Sequence, residues 1–526
     1  MKKKIKELLS KDYFLIIILL VGILFLYSPS LNGKLFFDDE YFIIRNKHVQ
    51  DLTYFPELFT TASGTGAGHF GSFYRPFQFV AYLIIYQFFN ITPWPYHLLS
   101  MLLHFGAAVC IFFLFRDFNI SRMVGFFAAL FFAVHPVNTQ AVSYISGLGD
   151  PLGLFLLLAA FLVYRKDHLF NNKFSQYTLF AFLIILSFFS KERSAIFLAL
   201  FIITDFVFPK SDNKIKNNLK ENYVFYLIGG IITFFYFILR IFLLNFGQFS
   251  VWAPQIYLSS LMVRFYSFLY AFFQYLQLIF FPSILYSERP FVVIDTLFNI
   301  EVLFSLLVIG ILTTLLIFKF NQQKYRPLFF GFLWFMLALI PTSGIIVMGY
   351  TMKEHWIYYS LVGFSLAFTF YFFKMIKNKK IAISIFLIIV LLLGAKTFTR
   401  NFDWSDPKVF FQDEIKYNPY AESAIANLAY EYYLEGNIDS AAELYRQGIQ
   451  INESRQLYMF YYNLGYMYYL KGNTSAAIPL YKKSLEIDPN YIYAIEELIK
   501  YYGANNDTKN FIKYSSRLLQ IQERIY

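Results

Sequence analysis

The stretch LNGKLFFDDEYFIIRN, residues 31–46, sets three carboxylates in a row, Asp38, Asp39 and Glu40, directly behind two phenylalanines. Acids held against apolar surface lose hydration, which raises the carboxyl pKa and makes the carboxylate a better base. In an extended segment Asp38 and Asp39 point to opposite sides, so one can act on a substrate while the other orients a donor or binds a cation. Further charged groups stand in short polar stretches between apolar runs. GSFYRPF supplies Arg75, SGLGD supplies Asp150, SKER supplies Lys191, Glu192 and Arg193, and KEHW supplies Lys353, Glu354 and His355. Arg264 opens a run rich in Tyr and Gln. Taken one at a time, these residues also have structural readings: a polar cap for the acid run, an ion pair for Lys191 and Glu192, an interfacial anchor for Arg264.

The elements that must position them are membrane helices. Of 526 residues, 58% are hydrophobic and only 15% charged, where soluble chains carry about 25% charged residues. Runs such as 13–27, 223–245 and 381–398 approach the ~20 residues a helix needs to cross ~30 Å of hydrocarbon. The first follows the basic MKKKIKELLSKD and has no small-x-small cleavage pattern behind it, which predicts a retained helix with a cytoplasmic N-terminus in the cell (plasma or inner) membrane. Six segments collect Lys and Arg, at 1–12, 116–122, 165–173, 210–220, 319–326 and 374–380, and the positive-inside rule places all six in the cytoplasm. Parity then requires two apolar segments, 76–90 and 263–282, to lie at the outer interface or dip in and return.

The expected fold is therefore all-α, with about eleven spans near 13–29, 97–115, 121–135, 150–164, 175–190, 194–209, 223–245, 297–318, 327–343, 357–373 and 381–397, plus two interfacial or re-entrant helices. On this map the acids and cations named above fall on the outer side. Acids and cations gathered there suit a reaction whose nucleophile is a hydroxyl and whose leaving group is a lipid-linked phosphate. A divalent metal is compatible with the acids, but nothing in their spacing indicates one, and no other cofactor is implied. The single cysteine, Cys110, lies in an apolar run and can form no intrachain disulfide.

Beyond a polar connector at 399–421 the sequence repeats itself. Residues 421–454 align with 457–490 at an offset of 36, pairing Leu428 with Leu464, Ala429 with Gly465, Gly436 with Gly472, Ala441 with Ala477 and Tyr445 with Tyr481. This is the tetratricopeptide pattern of paired helices, whose usual period is roughly 34. A third unit, 492–520, keeps Leu498 and Tyr502 but has Phe511 where the others have alanine, as a terminal cap would. Three regions follow: a membrane domain at 1–398, a linker at 399–421 and a short α-solenoid at 422–526. Residues 422–526 hold ten Lys and Arg against twelve Asp and Glu, leaving 35 against 22 elsewhere, so the basicity belongs to the membrane part and suggests no nucleic-acid partner.

In their order these stretches resemble the C-type glycosyltransferase superfamily, and most closely the transmembrane, tetratricopeptide-containing protein O-mannosyltransferases. The similar stretches are FFDDEYFIIRN, YRPF and YHLLSMLLH within 74–104, AVHPVNTQAVSYISGLGD at 133–150, SKE at 190–192, the run 264–285, PTSG at 341–344 and KEHWIYYSLVGF at 353–364, followed by the repeats. The resemblance implies inverting transfer of a hexose, typically mannose, from a polyprenyl-phosphate carrier to a protein Ser or Thr hydroxyl at the outer face. It implies that Asp38 or Asp39 is the general base, while the other orients donor or acceptor. It further implies that Arg75, Lys191, Arg264, Lys353 and His355 hold the donor phosphate, with Asp150, Glu192 and Glu354 as further outer acids. The repeats would bind a protein acceptor or partner. The chain departs from the family at Leu148 and His355, where arginine is usual, and at Gly344, where asparagine is usual. The same fold and acids would serve transfer to a lipid or envelope glycan, or a membrane scaffold without catalysis.

Overall fold

The computed structural model describes residues 11–68, 73–166, 170–209, 222–243, 253–451, 454 and 456–525. The basic segment 210–220, most of 1–12 and part of 165–173 lie outside the described residues. The chain forms two compact units, Met1–Ser287 with Phe291–Ser405, and Glu288–Pro290 with Asp406–Tyr526.

The longer helices of the first unit are α1 (Asp12–Tyr27), α2 (Pro76–Phe89), α3 (Trp94–Asp117), α4 (Arg122–Val134), α5 (Gly149–Arg165), α6 (Lys173–Ser190), α7 (Phe197–Val207), α8 (Tyr223–Ile238), α9 (Leu261–Phe280), α10 (Ile300–Lys319), α11 (Arg326–Leu339), α12 (Ser360–Met375) and α13 (Lys379–Asp403). Among the described residues, 8 helical stretches are long and apolar enough to cross a membrane, built on α1, α3, α5, α6, α8, α10, α11 and α13. A ninth is counted if α4 and the bent segment after it form one span. Near the remaining two predicted spans stand α7, with 11 residues, and α12, with 16. Of the two segments predicted not to cross, α2 has only 14 residues. The other, α9, has 20, but its Tyr and Gln leave it too polar to qualify.

The first helix shows why such a segment suits lipid. On α1 the residues at every fourth position, Leu15, Leu19, Ile23 and Tyr27, are buried, while Tyr13, Ile17, Val21 and Phe25 are exposed. Successive i, i+4 positions share one face, so this helix has a packed side and an apolar outer side. Lipid is the solvent that tolerates the second. Proline at the first turn of α2, α3 and α11 starts those helices where its missing N–H is not needed.

The second unit is built of helices joined by short turns. Within 399–421, α13 runs to Asp403 and α14 (Pro407–Tyr417) follows, with the Asp406 side chain accepting from Lys408 N at 2.9 Å. Asp406 caps the helix and Pro407 fits its first turn, which is why polar, proline-containing sequence is helical here. The repeats form α15 (Glu422–Leu434) with α16 (Ile438–Ile449), α17 (Leu457–Leu470) with α18 (Thr474–Ile487), and α19 (Ile492–Ala504) with α20 (Thr508–Ile525). Asn437 and Asn473, equivalent in the two repeats, cap α16 and α18 by accepting from Ser440 N and Ala476 N. The Glu288 carboxylate caps α15, accepting from Ala424 N at 2.9 Å.

Candidate active site

A break in α4 builds the site. The helix ends at Val134 because Pro136 has no N–H to continue it, and the segment Pro136–Val142 leaves the α4 axis at 52°. Residues 135–150 then run through the protein interior almost entirely buried, although many are polar. Most of their hydrogen bonds are met within the protein: Asn138 Nδ2 donates to Phe132 O at 2.6 Å, Gln140 Nε2 to Ser287 Oγ at 2.5 Å, and Ser143 Oγ to Asn401 Oδ1, while Asn138 Oδ1 and Asp150 Oδ1 are buried without a hydrogen bond. Satisfied polar groups fix such a segment in one arrangement.

This segment holds the acid run. The Ser146 hydroxyl donates to Asp39 Oδ1, and Phe36 N donates to Asp39 Oδ2 at 3.1 Å. Asp39 is 1% exposed. Burial raises its carboxyl pKa to about 7, against the opposing pull of the Ser146 and Phe36 hydrogen bonds. Asp38 is exposed, and its backbone N–H donates to the Tyr144 hydroxyl at 3.3 Å. The two acids therefore face different surroundings, but not because the segment is extended. Phe37 has φ 61°, a left-handed conformation uncommon for a bulky residue, and the Asp38 carbonyl opens the next turn by accepting from Phe42 N at 2.9 Å. The Phe37 ring lies 6.0 Å from that of Tyr144, which in turn stacks on Trp404 at 5.5 Å. Glu40 is neutralised by Arg45 at 2.5 Å.

Four residues after Ser146, Asp150 opens α5 and meets the residue that closes α6. Lys191 Nζ donates to Asp150 Oδ2 at 2.8 Å, and both side chains are buried. Two glycines allow the approach. A Cβ on Gly149 would lie 2.5 Å from Gln78 Oε1 and 2.7 Å from Ser190 O, and one on Gly153 would lie 2.4 Å from the Tyr359 hydroxyl. Glu192 accepts from Arg75 Nε at 3.0 Å and from Tyr74 N at 3.1 Å. Arg193 and Lys353 meet backbone carbonyls, Trp356 O at 2.5 Å and Ser287 O at 3.2 Å. Glu354, also buried, accepts from Tyr286 N at 2.7 Å.

These cations converge on His355. Burial, followed by the charges of Lys191, Arg193, Lys353 and Arg75, pushes the imidazole pKa well below its ordinary value. His355 is therefore a neutral hydrogen-bonding group here rather than a further cation, and its backbone N–H donates to Gln140 Oε1 at 2.9 Å. Lys191 responds to the same surplus: burial and the nearby Arg75 charge lower its pKa to about 8. Asp150, Glu192 and Glu354 offset three of the four positive charges, so the pocket carries an excess of one positive charge.

Elsewhere in this unit α9, α10, α11 and α12 enclose a cleft of about 660 Å³ lined by phenylalanines including Phe272, Phe280, Phe335, Phe364 and Phe368. The same α9 carries Tyr275, whose hydroxyl donates to Lys353 O at 3.2 Å. Among the described residues no three His, Cys, Asp or Glu side chains gather as a metal-holding group.

The tetratricopeptide-repeat family matches residues 422–455 and 458–491. A protein O-mannosyl-transferase of Caenorhabditis elegans is 26% identical over 72% of this chain and 54% of its own length. The Homo sapiens protein O-mannosyl-transferases TMTC3 and TMTC4 are 24% and 23% identical, over 83% and 80% of this chain and 51% and 64% of theirs. The chain resembles the protein O-mannosyl-transferases. It spans about half the length of the first curated relatives it matches.

Among the residues that the resemblance points to, the structure brings Arg75, Asp150, Lys191, Glu192, Lys353, Glu354 and His355 into connected surroundings, and joins Asp39 to them through the Ser146–Asp150 turn. Arg264 is different: it packs against Gly344, whose Cβ would lie 3.1 Å from the Arg264 Cβ, and near Tyr257. Gly344 has φ 82°, a left-handed conformation that glycine adopts without strain. Leu148, 1% exposed, packs with Phe42, Phe79 and Tyr82, so that position carries no cation. Arg193, Tyr144 and Ser146 were not singled out as site residues by sequence reasoning. The Arg193 charge beside Lys191 was visible; a tyrosine and a serine gave no signal before the turn was known.

Proposed function

We propose that the protein transfers a hexose, mannose by likeness to its relatives, from a polyprenyl-phosphate carrier to a Ser or Thr hydroxyl of a protein, at the outer membrane face. Asp38 is the general base in this reading. A base must reach its proton before its pKa matters, and Asp38 is exposed whereas both oxygens of Asp39 are engaged. Asp39 is then a positioning residue that ties the acid turn to Ser146. The acceptor oxygen attacks the anomeric carbon as its proton passes to Asp38, and the bond from that carbon to the phosphate oxygen breaks on the opposite face, inverting the centre. The phosphate leaves as an anion towards Lys191, Arg193, Lys353 and Arg75, while neutral His355 donates a hydrogen bond.

The observation that carries this reading is that the buried cations Arg75, Lys191, Arg193 and Lys353 outnumber the carboxylates Asp150, Glu192 and Glu354 by one. Buried cations that exceed their carboxylates favour an anion, and phosphate is the anion that a lipid-linked sugar donor presents. The aromatic cleft between α9, α10, α11 and α12 suits the carrier's apolar chain. The N-terminus in the cytoplasm and the repeats outside belong to the same proposal, since acceptor, base and repeats must share one side.

Mass spectrometry of outer-face proteins from cells with and without the gene tests the reading. The expected result is a hexose on Ser or Thr that disappears with the gene and returns with the wild-type chain, but not with D38N. A hexose lost from a lipid or glycan alone, or full rescue by D38N, would overturn it.

A further inference from the structure

The loop between α9 and α10, from Phe281 to Asn299, contains no helix or strand. That is longer than the roughly 12–15 residues that unstructured connections usually reach, and loops of this length commonly serve a function. Two of its residues hold the cation pocket. Tyr286 N donates to Glu354 Oε1 at 2.7 Å, and Ser287 O accepts from Lys353 Nζ at 3.2 Å. Ser287 Oγ accepts from Gln140 Nε2 at 2.5 Å, and the same glutamine accepts from His355 N at 2.9 Å through its Oε1. Tyr286 and Ser287 thus meet the whole run Lys353–His355, directly or through one side chain.

The next residue belongs to the second unit. Glu288 N donates to Glu414 Oε2 at 2.7 Å, and Glu288 O accepts from Asn418 Nδ2 at 2.8 Å. Its carboxylate accepts from Ala424 N at 2.9 Å and from Ser423 N at 3.4 Å, which satisfies open donors at the start of α15 and places negative charge at the positive end of that helix. Backbone and side chain of Glu288 are therefore all engaged by the end of α14 and the start of α15. Behind it, Pro290 restricts the backbone of Arg289. One peptide unit, about 3.8 Å from Cα to Cα, separates the bonds of Ser287 from those of Glu288. No flexible stem is left to absorb a displacement.

We propose that Glu288 is a positioning residue for the cation pocket: the hold of α14 and α15 on Glu288 fixes Tyr286 and Ser287, and through them Lys353 and His355, in the arrangement that receives a lipid-linked phosphate. The peptide bond between Ser287 and Glu288 carries the link. Lys353 and His355 lie in the irregular stretch between α11 and α12, where no long helix fixes them, so their partners set their placement. Displacing a positioning group by about 1 Å can cost on the order of 10²-fold. What the pocket binds rests on the donor reading above; the link from Glu288 to Lys353 and His355 does not.

The test uses the full chain in lipid nanodiscs and reads two quantities, hydrogen–deuterium exchange at residues 350–358 and the affinity for polyprenyl phosphate. Glu288→Ala removes the carboxylate at the start of α15, and Asn418→Ala removes the hold on the Glu288 carbonyl without altering the loop. Each should speed exchange at 350–358 and weaken polyprenyl-phosphate binding by about 10-fold or more. Glu288→Gln keeps an oxygen for Ala424 N and should retain most of the affinity. Asn437→Ala, which removes the cap of α16 in the same unit, controls for a general loosening of the repeats and should change neither quantity by more than about 2-fold. Unchanged exchange at 350–358 in both Glu288→Ala and Asn418→Ala, or equal acceleration in Asn437→Ala, would overturn the proposal. Faster exchange in the two variants, with no polyprenyl-phosphate binding even by the wild type, would support the positioning role and overturn the donor reading alone. If Glu288→Ala fails to fold, Asn418→Ala measured against Asn437→Ala decides.

Discussion

Lys191 Nζ lies 2.8 Å from Asp150 Oδ2, and this pair joins the end of α6 to the start of α5 with both side chains buried. The cost of breaking such a pair depends on which partner goes. Asp150→Asn leaves an ammonium buried among Arg75 and Arg193 without its carboxylate, which typically costs about 3–5 kcal/mol. Asp150→Asn with Lys191→Met removes both charges and should recover a large part of that loss. Chemical denaturation of the three proteins in one detergent checks the order: wild type, then the double variant, then Asp150→Asn.

Asp38 and Asp39 are adjacent in sequence but should fail differently. Asp38→Asn removes the proposed proton acceptor while leaving the exposed turn intact, so kcat should fall by about 10²–10⁴ with an unchanged melting temperature. Asp39→Asn keeps an oxygen for Phe36 N and a side chain for Ser146, so it should lower kcat less and alter KM for the donor. Steady-state hexose transfer to a serine-containing peptide, measured beside melting curves, separates the two. Equal losses of kcat would mean that accessibility does not identify the base.

Much of this arrangement was legible in the sequence. Apolar length placed the spans, and the excess of Tyr and Gln marked α2 and α9 as different because polar side chains are costly in hydrocarbon. Repeat periodicity located the solenoid through its small and large residues. The path of residues 135–150 was not legible, because its polarity reads as a surface loop until the bend at Pro136 turns it inward. Nor was the protonation of His355, since its neutral state arises first from burial and then from the charges of Lys191, Arg193, Lys353 and Arg75, three of them contributed by distant stretches. The acid turn was read as extended because nothing in FFDDE announces a phenylalanine at φ 61°.

The Asp39 carboxyl gives stability a definite pH dependence. Its pKa rises from 3.8 to about 7 on folding, burial being the main cause. The folded state then binds the proton more tightly than the unfolded state does. The contribution is fully present below the unfolded pKa and is lost as pH rises through the folded value. Between about pH 4 and pH 7 this residue should make the protein less stable as pH increases, the opposite of an ion-paired aspartate. Asp39→Asn cannot titrate and should flatten that part of the profile. Unfolding midpoints at half-unit pH steps for wild type and Asp39→Asn, subtracted from each other, isolate the contribution.

Gly149→Ala tests whether close approach of backbone elements positions the cation pocket. The added Cβ would lie 2.7 Å from Ser190 O, a backbone atom at the end of α6, as well as 2.5 Å from Gln78 Oε1. Gln78 can swing, but Ser190 O moves only with α6, and Lys191 is the next residue. Overpacking of this kind costs about 1–3 kcal/mol and shifts the backbone. The displacement would lengthen the Lys191–Asp150 contact without removing either charge. The expected outcome is a weaker apparent affinity for the lipid-phosphate donor and a lower melting temperature, with less effect on the acceptor KM. Gly310→Ala, at a position where a Cβ meets nothing within 4 Å, supplies the control: it should leave both binding constants unchanged, and a similar loss there would show that the effect at Gly149 is not one of steric approach.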